Sequence, residues 1–567
     1  LNAFGGRVRA LAVVLAALIA LLVGGCADSG GGDGGGAALE PVDINAMPRD
    51  RVRDGGTLRW PIEELPTQWN SSHVNGANVP ATAVLGGLMP GGITTDERAN
   101  VTEDRNYVLS ARITSTRPRQ VVTYRLNPKA RWSNGRQIDW TDYEAQWKAL
   151  RGNDEAYQVA SNSGYERVGS VRRGRDDLEV VVTFAQPFGE WQSVFAGLYP
   201  KEVNGDPERF NTAYVNRIPI TSGPFKLEEI DETAQTVTVV RDPKWWGPPA
   251  KLDRIVYRAL SPDAAINAFV SGEIDLTDVG PNPSNYKRVQ GVPGGAVRSA
   301  AGPDYRHFTM NGTSPVLSDV NVRRAIAMAV NRDAITRADL VGLDWPTRTM
   351  GNHYFVNTQE GYRDNAGDVG GFDPARARQT LDRAGWRPGP GGVRAKGGRR
   401  LEVRFVIPTG VATSRQEAEL AQAMLRDVGV ALDIRAVPEG DFFDKYVIPG
   451  NYDIAPFSWV GTPFPIASSK SLYAMPVKDA KGDLQVQQNY ARVGSPQIDR
   501  LMEDAQGQLD KGRAREMLNQ ADRLVWEEVH SLVLYQRPAI TATRSNLANY
   551  GSFGFKSTLY QDIGFAR

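Results

Sequence analysis

Four histidines and one cysteine are the scarcest chemically versatile residues in this chain of 567, and their spacing argues against most catalysis. His73, His307, His353 and His530 are scattered, and none has a second ligand at the short spacing that zinc sites use. Cys26 has no partner thiol, so an intrachain disulfide is excluded and iron–sulfur ligation has no support. No Gly-x-Ser-x-Gly elbow exposes a serine nucleophile, and no Gly-x-x-x-x-Gly-Lys-[Ser/Thr] loop is present to cradle a phosphate. Gly30-x-Gly32-x-x-Gly35 has the spacing of a dinucleotide loop, but no strand precedes it and no periodic helix follows. A carboxylate pair of the glycosidase kind carries no local spacing, so a secreted hydrolase stays open as a third reading. The expectation is a protein that is not an enzyme and needs no metal or cofactor.

The 66 basic and 65 acidic residues nearly cancel, giving a formal net charge of +1. That balance offers no case for nucleic acid as a partner. With 41% hydrophobic and 23% charged residues the composition is that of a globular protein, and 58 Gly with 35 Pro fit a loop-rich one.

The start of the chain explains the lone cysteine. Arg7 and Arg9 precede an apolar run over residues 10–23, then Gly24-Gly25-Cys26. A basic segment, a short apolar run and small residues before the cut define a secretory signal over residues 1–25. The run is short of the roughly 20 residues that span a bilayer. Val23-Gly24-Gly25-Cys26 resembles a bacterial lipobox, in which the cysteine thiol receives a diacylglycerol. Residues 26–56 are then expected to be the lipidated cysteine and a flexible tether, rich in Gly, Ser and Asp at its start. The body would sit on the extracytoplasmic side of the cell membrane.

The elements of the body can be read from local pattern. Residues 131–147, RWSNGRQIDWTDYEAQW, hold three tryptophans. Val122, Tyr124 and Leu126 alternate before it as in a half-buried strand. Asn134-Gly135 signals a turn, and Thr141-x-x-Glu144 has the form of a capping box. Tyr143, Trp147 and Leu150 then share one helical face. Strand, turn and capped helix make an aromatic brace, with no acid–base or nucleophile pair in it. Further along, Val237 with Val239 and Ile255 with Tyr257 alternate as strands. Ser318 or Asp319 can cap a helix carrying Val322, Ile326, Ala329 and Val330 on one face. Residues 375–384 read as a helix ended by Gly385. Ala421, Met424, Leu425 and Val428 form a stripe stopped by Gly429, and Val430, Leu432 and Ile434 alternate after it. Helix followed by strand implies an α/β lobe.

Several segments, in order, resemble the family 5 extracellular solute-binding proteins, the oligopeptide- and dipeptide-binding components of ABC importers. They are TYRLNPKARWSNGRQIDWTDYEAQW (residues 123–147), TSGPFKL (221–227), RDPKWWGPPAKLDRIVYR (241–258), AFVSGEIDL (268–276), NVRRAIAMAVNRDAI (321–335), FDPARARQTLDRAGW (372–386) and YDIAPFSW (452–459). The likeness runs from about residue 57 to the end. It implies an α/β, two-lobed periplasmic-binding-protein-like fold with an inserted subdomain and a two-strand hinge. One lobe would hold residues 57–303 plus 531–567, the other residues 304–530.

The resemblance also implies a function: a monomeric, lipid-anchored receptor that captures a small solute or oligopeptide between its lobes and hands it to ABC permease subunits. It places Trp69, Asn311, Ser458, Trp459, Val460, Gly461, Thr462 and Tyr535 at the ligand, and Phe464 joins them by its position in the adjoining loop. In the family an aspartate just after the YDIAPFSW strand grips the peptide α-amino group; here Thr462 stands in its place, followed by Pro463-Phe464-Pro465. An unpaired buried ammonium is costly, so free-amino peptides are disfavoured unless the alignment shifts or Asp441 or Asp444 supplies the carboxylate. The alternative function comes from a mycobacterial lipoprotein of the same fold linked to phosphatidylinositol mannoside and lipoarabinomannan synthesis. On that reading the chain binds a glycolipid and regulates envelope synthesis without importing anything.

Overall fold

The stretch around Asn134-Gly135 folds much as its pattern requires. Val121–Leu126 is a strand with Val122, Tyr124 and Leu126 buried on one face. Gly135 takes φ +88° in the turn, a conformation that costs glycine nothing. The helix Trp140–Leu150 follows, but its cap is Asp139, two residues before the expected Thr141. Asp139 accepts the Thr141 N–H at 2.8 Å, and Asp142 reaches back to the Asp139 N–H at 3.1 Å. Two carboxylates two residues earlier outcompete Thr141 and Glu144 for the orphan amides. Tyr143, Trp147 and Leu150 are buried on the inner face, as expected.

This computed structural model describes residues 38–478, 481–482 and 484–567; the signal segment, Cys26 and tether residues 27–37 lie outside the described residues. The packed chain begins earlier than residue 57. Asp43–Ile44 pairs with Gly551–Ser552, and Leu39 and Val52 are buried. The segment also meets a distant strand, the Ala301 N–H donating to Glu40 O at 2.7 Å and the Ser299 N–H to Asp43 at 2.9 Å, partners that local pattern does not reveal.

Three sheets organise the body Leu39–Arg567. One joins Thr57–Ile62, Arg254–Ala259, Thr236–Arg241 and Phe225–Asp231, and its core includes Trp60 and Tyr257 with Tyr550 and Tyr560 of the tail. A second, antiparallel, joins Val108–Ser115, Val121–Leu126, Glu179–Phe184 and Val168–Arg173. It is the inserted subdomain, and its core holds Trp132, Tyr143 and Trp147.

The third sheet carries the strands in the order Leu276–Asp278, Ser531–Arg544, Gly295–Met310, Ile454–Val460, Glu402–Pro408, Ala431–Val437. Gly295–Met310 and Ser531–Arg544 are its two long strands, of 16 and 14 residues, antiparallel from Gly295↔Arg544 to Thr309↔Ser531. They run from the first half of the molecule into the second, the two-strand connection of a two-lobed α/β fold. Glu402–Pro408 and Ala431–Val437 are parallel, joined through the helix Ala412–Arg426, which is the expected helix–strand unit. Asp319 caps Val320–Ala329, while Gly385 and Gly429 follow their helices at φ +85° and +83°.

Candidate functional site

Ile454–Val460 is the strand on which the site is built. It pairs with Gly295–Met310 along its length, Tyr305 facing Trp459 and Arg306 facing Ser458. On its other edge it pairs only once, Ile454 with Phe405. Residues 455–460 therefore have no strand neighbour on that side among the described residues. Residues 455–457 are buried and Pro456 has no N–H, so the open part of this edge is residues 458–460, where Val460 is 63% exposed.

Alternation puts Trp459 and Ser458 on opposite faces. Trp459 stacks on Tyr490 at 5.7 Å and near-parallel to His307 at 6.2 Å, with Phe457 edge-on at 5.3 Å. It is half-buried and packs against three separate apolar clusters. On the other face Ser458 Oγ is buried without a hydrogen-bond partner. The same face carries Arg306, which holds the buried Glu417 carboxylate at 2.5 and 2.7 Å.

The chain then turns sharply. The Gly461 N–H donates to Pro303 O at 2.9 Å, and a Cβ on Gly461 would lie 2.8 Å from that oxygen. Thr462 O accepts from Gln359 Nε2 at 2.9 Å. Its hydroxyl accepts the Phe464 N–H and donates to Ser468 Oγ, both at 3.1 Å. Thr462 is thus engaged in starting the helix Pro465–Tyr473, whose N-cap residue, Phe464, has no capping side chain. The missing cap comes from far away. Glu190 accepts the Ile466 and Ala467 N–H groups at 2.9 and 2.7 Å. Burial pushes its carboxyl up to about 7, although those two amides pull it down.

Beside this turn lies a cleft with about 730 Å³ of empty space, counting the part open to solvent. Residues 98–101 and 189–192 face it from the first half of the chain; residues 355–360, 463–466 and 508–518 contribute from the second. The two sides are tied at the edge, where the Gly189 N–H donates to Gln506 O at 2.8 Å and Arg167 reaches Gln506 Oε1 at 2.7 Å and Glu503. Phe355, Phe464, Ile466 and Leu518 supply apolar wall, and Arg98, Glu190, Glu360, Lys511 and Arg515 supply charge. These five charged residues were invisible to local pattern, because the cleft is assembled from segments hundreds of residues apart.

Of the residues expected at a ligand, Ser458, Trp459, Val460, Gly461, Thr462 and Phe464 follow one another along the strand end and turn, and among them Phe464 alone lines the cleft. The others are closed off from solvent here. Trp69 is 0% exposed in the core of the first sheet. Asn311 is buried and spends its amide on Gly450 O and Tyr452 O, both at 3.0 Å. Tyr535, 1% exposed, lies across the strands from Arg306. Contact between these three and a solute would need them to become exposed. Asp441 pairs with Lys445 at 2.9 Å, Asp444 is exposed, and neither lines the cleft. Cys26 lies outside the described residues.

The four histidines are all buried. His353 Nδ1 meets Asp522 at 2.7 Å, and burial drives His530 down to about 3. Among the described residues no group of three or more His, Cys, Asp or Glu converges as metal ligands would, and no helix is long and apolar enough to cross a membrane. Asp339 and Glu417 do adjoin, but both are buried beneath the sheet and line no part of this cleft.

A two-lobed α/β body with a free strand edge beside a cleft is the architecture of an extracytoplasmic solute-binding protein. The chain belongs to the bacterial extracellular solute-binding proteins, family 5, whose middle region matches residues 109–476. It is 38% identical to the oligopeptide-binding protein OppA of Mycobacterium tuberculosis over 574 residues, covering 99% of this chain and 94% of that one. The probable monoacyl phosphatidylinositol tetramannoside-binding protein LpqW of the same organism is 26% identical over 359 residues, 59% of this chain and 56% of that one. In fold it superimposes on the periplasmic EDTA-binding protein EppA with a TM-score of 0.84 at 23% identity, over 94% of this chain and all of that one.

Proposed function

We propose that this protein is the lipid-anchored receptor of an ABC importer, and that it takes an oligopeptide or related solute as an added strand. The observation that carries the reading is the unpaired, partly exposed edge of residues 458–460, which leads through Gly461 and Thr462 to the cleft wall at Pro463. An extended ligand can satisfy those backbone groups by main-chain hydrogen bonds and leave its side chains to the cleft for selection. Likeness to OppA over nearly the whole chain supports it. The lobes divide at residues 303/304 and 530/531, the ligand between them, and the body is a monomer that docks on permease subunits. Nothing in this mechanism asks for a catalytic group.

Thr462 favours a second reading. With no carboxylate at that position, a glycolipid headgroup or another uncharged end fits as well as a peptide, and the chain would then act as an envelope regulator. Native mass spectrometry of the protein purified from its own cells separates the two. Co-purifying peptides of mixed sequence support the first; a single mannosylated lipid supports the second and overturns the first.

The anchor has its own test. Two acyl chains hold a protein stably at a membrane where one is marginal. Cys26→Ala is expected to move the protein from the membrane fraction to the soluble one, and unchanged fractionation would overturn the lipid reading.

A further inference from the structure

The helix Pro465–Tyr473 does not close its own first turn. Its N-cap residue, Phe464, has no side chain that accepts a hydrogen bond, and no acidic residue stands in that turn. A helix start left so has unmet amides, and a carboxylate placed there meets both the amides and the positive end of the dipole. The carboxylate that does this is Glu190 of the inserted subdomain, which accepts the Ile466 and Ala467 N–H groups at 2.9 and 2.7 Å.

The segment that delivers Glu190 is fixed at its base. Buried Gln120 takes the Phe188 N–H at 2.7 Å and gives its own amide to Phe188 O at 3.0 Å. The Phe188 ring is 0% exposed in the subdomain core, and buried Arg167 donates to Pro187 O at 3.0 Å. Beyond this base the tip enters the second half of the chain. The Gly189 N–H donates to Gln506 O, and a Cβ on Gly189 would lie 2.2 Å from Gln508 O, an approach that only glycine admits. Ala467 in turn packs against the subdomain core. Arg167 from one side and Lys470 from the other meet on Glu503 and Gln506.

We propose that residues 187–190 are a latch across the cleft: Glu190 caps, from the first half of the molecule, a helix of the second, and the halves hold together while that cap is made. The inference rests on the two-lobe division proposed above. Burial opposes the contact and pushes the Glu190 carboxyl up to about 7, against the pull of the two amides and of Lys511. A contact balanced in this way holds without locking. Parting the halves would return Glu190 to water and bare the Ile466 and Ala467 amides. Phe464 and Ile466 line the cleft, so the latch also sets the order of the wall that a solute would meet.

The test uses the full-length chain with Cys26→Ala, so that spin labels attach only at two introduced cysteines. These are E155C in the subdomain and R500C on the helix Pro496–Gly507, both at exposed positions. Double electron–electron resonance is expected to show a longer separation in E190A than in the parent. Hydrogen exchange over residues 465–473 should be about tenfold faster, as loss of a charged cap gives. A cap supplied locally separates tying from capping. In E190A/F464D the aspartate caps the helix from its own N-cap position, so exchange should slow while the separation stays long. Exchange that stays fast there means that only the carboxylate from across the cleft meets those amides, which supports the latch. A separation that returns to the parent value in E190A/F464D overturns it and leaves Glu190 as a cap alone. An unchanged separation in E190A also overturns it, and E190A/R167A then gives the reason. Lengthening in that variant makes Arg167 the tie and leaves the two-lobe reading standing; no lengthening means that the halves do not part and overturns both.

Discussion

Trp132 and Trp459 each follow or close a strand and lead into a turn, yet they sit in opposite kinds of surroundings. Around Trp132 the charged groups are matched. Its indole N–H donates to Asp142 at 3.2 Å, Arg136 bridges Asp142 and Glu202, and the Lys201 N–H closes on Asp142 at 2.9 Å. Around Trp459 the matching stops partway: the strand edge has no neighbour, Ser458 Oγ has no partner, and the chain leads into a cleft. Both regions are aromatic-rich, so composition cannot separate brace from site. What separates them is whether the charged groups and the backbone edge nearby are spent.

Breaking the brace should give the largest effect, confined to stability. Asp142 is fully buried and serves Arg136, Trp132 and two backbone amides at once. Asp142→Ala leaves those donors unmet, a loss of about 3–5 kcal/mol by the cost of splitting a buried pair. Denaturant unfolding measures it. Solute affinity of the folded fraction should be unchanged; a specific binding defect would mean that the brace belongs to the site.

Trp459→Ala should do the reverse. Truncating an aromatic anchor costs about 1–3 kcal/mol of binding. Because Trp459 is only half-buried, its stability cost should fall below the roughly 3–5 kcal/mol of a fully buried Trp. Titration of ligand into folded variant reads the first, and thermal unfolding the second. A variant that unfolds with no separable binding defect would make Trp459 a second brace and erase the comparison.

The same contrast explains what was legible in the sequence. Asn134-Gly135, Gly385 and Gly429 announce themselves because positive φ is a local demand, and Val122, Tyr124 and Leu126 because burial on a strand has period two. Asp139 won the cap over Thr141 through side-chain competition within one turn, which a pattern match does not rank. Resemblance singled out Trp459 and the adjoining loop singled out Phe464, and of the two Phe464 lines the cleft. Trp69, Asn311 and Tyr535 are buried here, and residue type alone does not tell a buried group from a ligand contact. Glu190, Lys511 and Arg98 carry no local signal, since only the folded chain brings them together.

The face of the strand opposite Trp459 offers a smaller test. Asp339 is held well above its ordinary value of 3.8, first by burial and then by the neighbouring Glu417, with Arg306 pulling the other way. A carboxyl raised in the folded state contributes stability that is full below about pH 4 and is lost as pH rises through its folded value. Asp339→Asn, which mimics the protonated acid, should remove that loss and flatten the stability profile by up to about 1.4 kcal/mol per pH unit. Unfolding curves at about pH 5 and about pH 8 are expected to differ less in the variant than in the parent. An equal slope would mean that Asp339 is not held protonated in the folded protein.

The smallest expected effect is at Thr462, and it bears on the position where the family's ammonium-binding aspartate would stand. The hydroxyl faces the helix start, taking the Phe464 N–H and giving to Ser468. An aspartate there finds the same amide, and the positive end of Pro465–Tyr473 favours its charge. Thr462→Asp should therefore behave first as a better cap, raising stability by about 0.3–1 kcal/mol. A carboxylate held by its own helix has little left for a ligand ammonium, so free-amino peptides should gain less than about tenfold, or about 1.4 kcal/mol. Calorimetry with matched free and N-acetylated peptides measures the gain. A preference for the free amine well beyond tenfold would show that the side chain leaves the helix for the cleft, and that a single substitution restores an ammonium site which the structure has turned inward.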